Sequence, residues 1–260
     1  MSMTIEDRGD LKYAKELLEN PSLASRIMNV LGVPIQKGFE KLPANWRAVV
    51  QKASVKAMET ALDVAVTTFG DKSRAERASN LLHKIYAAVT GGAGGAFGLA
   101  GLPVELPITT TIMLRSIADI ARSEGENIAS GETKIACLEV FALGGRSRSD
   151  DASETGYFVM RAALAKAVSD AAKYLAQRKA VNETAPALIR LIAQIASRFG
   201  LVVSEKAAAT AIPVVGAAGG VVVNTIFMDH FQDMARGHFI VRRLERVYGS
   251  ALVRAEYERL

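Results

Sequence analysis

The chain has 260 residues, of which 50% are hydrophobic, 23% are charged and only 6% are aromatic. This composition excludes a disordered chain, and a core built mainly from Ala, Val, Leu and Ile favours packed helices over a sandwich or barrel. The single cysteine, Cys137, excludes an intrachain disulfide framework and fits a reducing compartment. The net charge of +5 is modest and no basic run with interleaved aromatics is present, so we expect no nucleic-acid partner.

The first ten residues, MSMTIEDRGD, contain acidic residues and no apolar h-region, so no secretory signal is predicted. We therefore expect a cytoplasmic protein that would reach a membrane from its cytosolic side.

Prolines and glycines that begin or end helices recur along the whole chain, whereas no strand-like alternation is long enough to predict a sheet. They predict short helices over 11–20 and 21–32, followed by a linker with prolines and a glycine over 33–43. This pattern divides the chain into an N-terminal helical arm with its linker, residues 1–43, and a helical domain over 44–260.

The second part is predicted to contain six further helical segments, most of them followed by a glycine. These segments cover 44–69, 71–90, 108–123, 132–143, 157–180 and 187–199. Gly70, Gly125 and Gly200 are predicted to end three of them.

Two stretches of this second part, 85–104 and 207–228, carry no charge and are rich in glycine. A dinucleotide-binding fingerprint is excluded because, counting from Gly92, its third glycine position is Phe97, and no P-loop triplet occurs. Small residues four apart let helix backbones approach closely. They are Ala88, Gly92, Ala96 and Ala100 in the first stretch and Gly216 and Gly220 in the second. We therefore predict an all-α multi-helix bundle with two close-packed Gly-rich apolar helical hairpins.

Both stretches only just reach the roughly 20 residues that a membrane-spanning helix needs. Three interpretations remain open: helices buried in a soluble core, hairpins that dock on or dip into a membrane, and, least favoured, helices that span the membrane.

Several polar residues lie within or beside these apolar segments. Thr111, Arg115 and Asp119 share one stripe of a helix, and we expect an Arg115–Asp119 ion pair that fixes helix register, with a ligand clamp as the alternative. Glu105, between two prolines, is expected to stabilise the N-terminus of the next helix electrostatically. Asn224 is expected to hydrogen-bond across helices, to Glu205 or to a backbone carbonyl.

The largest group of potential metal ligands comprises Asp229, His230, Asp233 and His238. Histidine and carboxylate side chains at helical spacing are common divalent-metal ligands, and Glu139 and Glu205 would be the donors from other helices. The favoured interpretation is instead an ion-paired interface beside Arg236. We predict no cofactor, apart from a divalent metal in this alternative.

Basic residues follow the second apolar stretch. Residues 236–260 contain six arginines and three glutamates. Basic residues at this place match the positive-inside tendency and are expected to contact acidic lipid head groups or a partner. The residues concerned are Arg236, Arg242, Arg243 and Arg246. A helix with internal Arg–Glu pairs is an equally good interpretation.

Four blocks in the same order resemble the EcsC protein family: GLPVELPITTTIMLRSIADIARSEGE, LEVFALGG, GYFVMRAALA, and the long block from SRFGLVVSEK to RRLERVYG. The resemblance spans roughly residues 46–249 and omits the N-terminal arm. The family's founding member is encoded beside an ABC transporter, which implies a membrane surface or an integral membrane partner of that type. Other members are labelled peptidases without a demonstrated mechanism, so no catalytic set carries over. The matching polar positions, of unknown role, are Glu105, Arg115, Asp119, Glu205, Asn224, Asp229, His230 and Asp233.

These observations lead to one main hypothesis and two alternatives. We expect a non-catalytic protein, peripheral on the inner face of the cell membrane, that engages lipid or an integral membrane partner through Gly-rich apolar helices and a basic C-terminal helix. The first alternative is a metal-dependent hydrolase that uses Asp229, His230, Asp233 and His238. The second is a soluble helical scaffold.

Overall fold

The computed structural model describes residues 2–19, 23–32, 34–70, 98–144, 156–177, 185–212 and 216–260. These ranges contain ten helices and no strand, which confirms the predicted all-α multi-helix bundle. The helices are α1 (Ile5–Leu18), α2 (Leu23–Leu31), α3 (Gln36–Phe39), α4 (Trp46–Thr68), α5 (Gly98–Ser123), α6 (Gly131–Leu143), α7 (Gly156–Gln177), α8 (Pro186–Thr210), α9 (Gly216–Tyr248) and α10 (Ser250–Arg259). The segment predicted as a helix over 71–90 lies outside the described residues, as do residues 85–97 of the first glycine-rich stretch.

Local signals explain where several helices begin and end. The Thr4 side chain accepts a hydrogen bond from the Asp7 amide at the start of α1, and Ser130 does the same for the Thr133 amide in α6. Helices α4 and α5 end at Thr68 and Ser123, two residues before the predicted terminating glycines Gly70 and Gly125, and both glycines have positive φ.

Helix α8 is longer than predicted. The sequence pattern ends it at Gly200, whereas the helix continues to Thr210. Gly200 is a contact point with α4, because a Cβ atom there would lie 3.6 Å from Ser54 Oγ. The residues beyond it, including Val203 and Ala208, are buried, and their burial favours continuation of the helix.

Helix α5 begins ten residues earlier than predicted, at Gly98, and contains both Pro103 and Pro107. Each proline removes an amide donor from the helix, a cost that tertiary packing has to offset. Leu102 and Leu106, on the inward face beside these prolines, are buried in the core. Packing therefore overrides the local signals that predict a helix start at residue 108.

Helices α8 and α9 form the centre of the bundle. Helix α4 packs against α5 and α8, α6 and α7 pack against each other and α8, and α1 packs against α9 and α10. The phenylalanines of α6, α8 and α9 meet in the middle, where Phe141, Phe199 and Phe231 lie 5.3–5.5 Å apart between ring centroids. The long α8–α9 pair thus provides the surface on which the other helices assemble.

The N-terminal helices contribute to the same buried cluster as the rest of the described chain. Leu11 and Leu18 of α1 and Ile27 of α2 belong to it. At the other end of the chain, Tyr257 of α10 accepts a hydrogen bond from Lys15 Nζ through its backbone carbonyl (2.9 Å). The arm over 1–43 therefore packs on the bundle, and a domain boundary at residue 43 stays a prediction.

Candidate functional site

Described parts of the two uncharged stretches, 98–104 and 216–228, come to the same end of the bundle. Gln232 Nε2 of α9 donates to Ser116 Oγ of α5 (2.9 Å), and Arg242 Nε donates to Glu126 Oε1 just after α5 (2.8 Å). Both bonds join residues 116 positions apart, so α5 and α9 run parallel and in step. The first uncharged stretch ends in the N-terminal turns of α5, and the second continues into those of α9. These N-terminal turns therefore lie side by side.

The C-terminal turns of α8 reach the same end and bring charge into its interior. Lys206 Nζ lies 2.6 Å from Glu105 Oε1 of α5 and 4.8 Å from the centre of the Phe227 ring of α9. The Lys206 side chain is only 3% exposed. Glu105 thus lies inside α5 and joins it to α8, so its predicted role at a helix N-terminus is wrong. The reason is that α5 begins seven residues before it.

Glu205, the residue before Lys206, faces a different helix. Its Oε2 accepts a hydrogen bond from the Ala24 amide at the start of α2 (2.9 Å). Burial raises the pKa of Glu205 to about 7, and the Ala24 hydrogen bond opposes that rise. The predicted Asn224–Glu205 contact is not formed, and within the described residues Asn224 Oδ1 has no hydrogen-bond partner.

The outward side of this end is apolar. Val104 of α5 is 71% exposed and Val221 of α9 is 55% exposed. Within the described parts of 98–114, 199–212 and 216–228, the charged residues are Glu105, Glu205 and Lys206, and all three are engaged inside the protein. We call the surface formed by the N-terminal turns of α5 and α9 and the C-terminal turns of α8 the apolar end.

Basic and aromatic side chains border the apolar end. The short helix α3 crosses α8 so closely that a Cβ atom on Gly38 would overlap the backbone of Ala208. Lys37 of α3 is exposed beside this crossing. At the start of α4, the exposed Arg47 side chain stacks on the Trp46 ring, with 5.4 Å between the Arg47 guanidinium carbon and the ring centre. Cations and a tryptophan therefore lie beside an uncharged surface.

One helix of the described chain, α8, is long and apolar enough to cross a membrane, with a mean hydropathy of 1.5 over its best window. Half of that window is buried against other helices of the bundle. A core helix of a water-soluble bundle has the same properties, so this finding is weak evidence for insertion.

The polar stripe of α5 differs from the prediction. Asp119 Oδ1 accepts a hydrogen bond from Arg122 (2.8 Å), which takes the place expected for Arg115. Burial lowers the pKa of Arg115, and the charge of Asp119 opposes that shift without a direct contact being formed. The Thr111 hydroxyl donates to the Pro107 carbonyl of its own helix (2.8 Å). The three side chains therefore do not form a continuous polar track.

The four residues predicted as metal ligands have separate environments. His230 Nε2 lies 3.0 Å from the Gly144 carbonyl at the end of α6, and since a carbonyl only accepts, this nitrogen carries the proton. Asp233 pairs with Arg26 of α2 (2.9 Å) and with Arg236 (3.1 Å), and Asp229 is exposed. His238 is eight residues, or about 12 Å, further along the helix than His230.

No group of three or more His, Cys, Asp or Glu side chains in the described part of the chain is arranged to hold a metal ion. The geometry of the described residues therefore does not assemble the metal cluster of the alternative interpretation. Cys137 is buried, and that burial raises the pKa of its thiol, which disfavours a nucleophilic thiolate.

The arginines predicted to contact lipid are engaged by carboxylates of the protein itself. Arg242 pairs with Glu126 (2.8 Å) and Glu132 (3.0 Å), and Arg246 also pairs with Glu126. Arg243 bonds to Asp10 of α1 (2.6 Å) and Glu124 after α5 (2.8 Å). These contacts match the alternative of a helix stabilised by ion pairs. Arg236 pairs with Asp233 within α9, whereas the partners of Arg242, Arg243 and Arg246 come from α1, the α5–α6 connection and the start of α6.

A cleft of about 1270 Å³ opens between α6, α7, α9 and α10 on another side of the bundle, and we call it the α7 cleft. On its floor, the Arg161 guanidinium forms two parallel hydrogen bonds to the Glu245 carboxylate (2.9 and 3.0 Å). Beside this pair lies Glu139, whose side chain is 6% exposed.

Glu139 belongs to a buried polar group that extends below the cleft. Its Oε2 lies 4.0 Å from His238 Nε2, and His238 Nδ1 lies 3.0 Å from the Tyr157 hydroxyl. Burial raises the pKa of Glu139 to about 7, while Arg161 and Arg242 oppose the rise. Burial, with a smaller contribution from the same arginines, lowers the pKa of His238 well below its usual value, so His238 is neutral.

Sequence reasoning does not predict this group. It includes Glu139 only as a donor to a metal, and no motif points to Tyr157, Arg161 or Glu245. The available signal was one acidic residue in the otherwise apolar segment IACLEVFAL of α6. The partners of Glu139 lie on α7 and α9, far along the chain, and no local pattern links them.

No curated protein sequence and no solved structure matches the chain. The model of the EcsC protein family matches residues 13–244. This match begins within α1, so it includes most of the N-terminal arm that the sequence resemblance leaves out. Because the match covers most of the 260 residues, the chain belongs to the EcsC protein family.

Proposed function

We propose that this protein is a non-catalytic, membrane-associated protein that docks through its apolar end on the cytoplasmic face of a membrane. One observation carries the proposal: the apolar end exposes Val104 and Val221 while its described charged side chains are engaged internally. An exposed apolar surface with a polar border is typical of an interaction site.

The border of the apolar end supports a lipid surface as the binding partner. Lys37, Lys41 and Arg47 are exposed beside it, and Trp46 is partly buried among them. Tryptophan is favoured at membrane interfaces because its ring is apolar and its N–H is polar, and each basic residue near an anionic surface contributes roughly 1 kcal/mol. An integral membrane partner of the ABC-transporter type, which the family resemblance implies, would engage this same surface.

The proposal gives the arginines of α9 a structural role in place of a lipid contact. Arg242 and Arg243 neutralise carboxylates of α1 and of the α5–α6 connection. Reversing their charge would disrupt the fold, so these positions do not test membrane docking. The basic residues of α3 and α4 are the better candidates for contact with acidic lipid head groups.

The test compares two valines of α9 that are equally exposed but lie at opposite ends of the helix. Val221 is 55% exposed at the apolar end, and Val247 is 56% exposed about 39 Å away along the helix. We expect Val221→Glu to reduce flotation with vesicles of phosphatidylcholine and phosphatidylglycerol at least about tenfold, since a carboxylate would enter the lipid interface. Val247→Glu should float like the unaltered protein.

Equal flotation of the two variants, or no flotation of the unaltered protein, would refute docking through the apolar end. Fractionation of cells adds an independent readout. Release from membranes by carbonate but not by salt is expected for apolar docking, whereas release by salt alone would indicate that the basic border carries the binding. Recovery in the soluble fraction from the start would leave the helical scaffold as the better hypothesis.

A further inference from the structure

The α7 cleft has the form of an elongated groove with small side chains on its walls. It follows α7 from Phe158 to Ala176, a length of about 27 Å along the helix axis. The walls contain a row of alanines, with Ala162, Ala165, Ala172 and Ala176 on α7 and Ala251 and Ala255 on α10, and charged side chains such as Lys173, Arg254 and Glu258 lie between them. Because the alanine side chains are short, the groove can accept an extended apolar chain along much of its length.

One end of this groove contains a buried carboxyl group, Glu139, whose nearest partner in the described chain is His238, 4.0 Å away. The Glu139 side chain is 94% buried, and it makes no hydrogen bond to any other described residue. The neighbouring charges compensate one another, since Arg161 pairs with Glu245, and Arg242 pairs with Glu126 and Glu132. Arg161 and Arg242 therefore favour the ionised form of Glu139 only from a distance, and within the described residues neither arginine bonds to its carboxylate.

The chemistry of Glu139 specifies what would bind beside it. A carboxylate only accepts hydrogen bonds, so a complementary group has to donate them. A primary ammonium supplies up to three donors and also neutralises the charge, and such charge-assisted bonds are roughly twice as strong as neutral ones. The ring of Phe158, which also lines the cleft, already has the Arg161 and Arg254 guanidinium carbons 5.9 and 5.7 Å from its centre, so the selection of the head group rests on Glu139.

We propose that the α7 cleft binds a single-chain amphiphile with a primary ammonium head group, which donates hydrogen bonds to Glu139 while its alkyl chain lies along the alanine wall of α7. This ligand site is separate from the apolar end and does not depend on membrane docking.

Binding should strengthen as the pH rises through neutrality. Tyr157 and Arg161 of α7, and His238, Arg242 and Glu245 of α9, face Glu139. Burial raises the pKa of Glu139 to about 7 in the unliganded protein, so below that pH the carboxyl has to release a proton before it can pair with an ammonium. The affinity should therefore fall about tenfold for each pH unit below 7 and level off above it.

The experiment is isothermal titration calorimetry of the full-length protein with dodecylammonium, below its micelle-forming concentration. Dodecanoate and butylammonium are the matched probes, since the first changes only the head group and the second only the chain. We expect one site for dodecylammonium, with at least about tenfold weaker binding of both other probes. Glu139→Gln, which has nearly the same shape, should weaken dodecylammonium binding at least about tenfold and remove the pH dependence.

Two exposed alanines of α7 provide a control that leaves the buried group intact. Ala165 lines the cleft and Ala163 does not. We expect Ala165→Trp to weaken dodecylammonium binding at least about tenfold and Ala163→Trp to leave it unchanged. Circular dichroism checks that both variants are folded.

Three outcomes would each overturn the proposal. Dodecanoate could bind as tightly as dodecylammonium or more tightly, Glu139→Gln could bind dodecylammonium as the unaltered protein does, or Ala165→Trp and Ala163→Trp could lose dodecylammonium affinity to the same extent. Val221→Glu, which tests membrane docking, should leave dodecylammonium binding unchanged. The ligand site and the apolar end are therefore tested independently.

Discussion

At the scale of single residues, two adjacent charged side chains of α8 show how burial and partners separate their roles. Lys206 turns to α5 and pairs with Glu105, whereas Glu205 turns to α2 and accepts the Ala24 amide. Lys206 thus has an acidic side chain as its partner, while Glu205 has one neutral donor. A buried carboxyl with only a neutral donor is held partly in its protonated form, which explains the raised pKa of Glu205.

This raised pKa makes the stability of the fold depend on pH. The pKa of Glu205 is 4.5 in the unperturbed state and about 7 in the fold, so between these values the folded state keeps a proton that the unfolded state has lost. The free energy of unfolding should therefore fall as the pH rises from about 4.5 to 7, by up to about 3 kcal/mol from this residue.

Glu205→Gln tests this dependence, because glutamine still accepts the Ala24 hydrogen bond but does not titrate. We expect urea unfolding to give similar stability to the unaltered protein at pH 5 and a higher stability, by up to about 3 kcal/mol, at pH 8. Glu40, an exposed residue, gives the matched control, and Glu40→Gln should change stability equally at both pH values. A Glu205→Gln difference that is the same at pH 5 and pH 8 would contradict the argument.

At the scale of elements, glycines have two different functions that a sequence pattern does not separate. Gly70 and Gly125 end helices with positive φ, as the pattern predicts. Gly237 instead lies in the middle of α9, where α1 crosses it, and a Cβ atom there would lie 2.6 Å from Leu18 Cγ and 3.0 Å from the Ala14 carbonyl. The glycine allows the two helices to approach closely at this point.

Gly237→Ala should therefore loosen the α1–α9 contact. We expect it to lower the free energy of unfolding by about 1–3 kcal/mol, because the added methyl group overlaps Leu18. Limited proteolysis should cut the chain between α1 and α2 faster than in the unaltered protein.

Gly9 of α1 is the control for this substitution, since a Cβ atom there has nothing within 4 Å. Gly9→Ala should raise the free energy of unfolding by about 0.5–1 kcal/mol, through helix propensity alone. If both alanine variants stabilise the protein, the close approach at Gly237 is not required.

At the scale of the whole molecule, the two ends of the chain are joined to its centre. Leu11 and Ala14 of α1 are fully buried. Around them, Arg243 of α9 pairs with Asp10 of α1, and the Tyr257 hydroxyl of α10 donates to Glu19 (3.0 Å). Three of the six arginines of the basic C-terminal region, Arg242, Arg243 and Arg246, are therefore compensated by acidic side chains of distant segments, and Arg243 ties the arm to the bundle.

This arrangement predicts that the arm and the bundle unfold together. Leu11 is fully buried in α1, so Leu11→Ala should cost about 2–5 kcal/mol. We expect the urea midpoint measured by fluorescence of Trp46, the only tryptophan and part of α4, to fall together with the midpoint measured by circular dichroism.

Ile5 is in the same helix but 94% exposed, so Ile5→Ala should change stability by less than about 0.5 kcal/mol. An unchanged Trp46 transition in Leu11→Ala, with only the arm becoming sensitive to protease, would instead support a boundary at residue 43.

The sequence by itself determined the helical class, the family resemblance and many of the helix boundaries, because helix ends depend on local chemistry such as the Ser130 cap and the glycine at position 70. Only the tertiary structure decided that α5 continues through Pro103 and that α8 continues through Gly200, since burial on neighbouring helices outweighs these local signals. Only the tertiary structure also decided which residues each charged side chain contacts. Glu105, Glu139 and Arg242 bond or pack against residues that are distant in sequence, and helical periodicity specifies which face a side chain occupies but not which helix covers it.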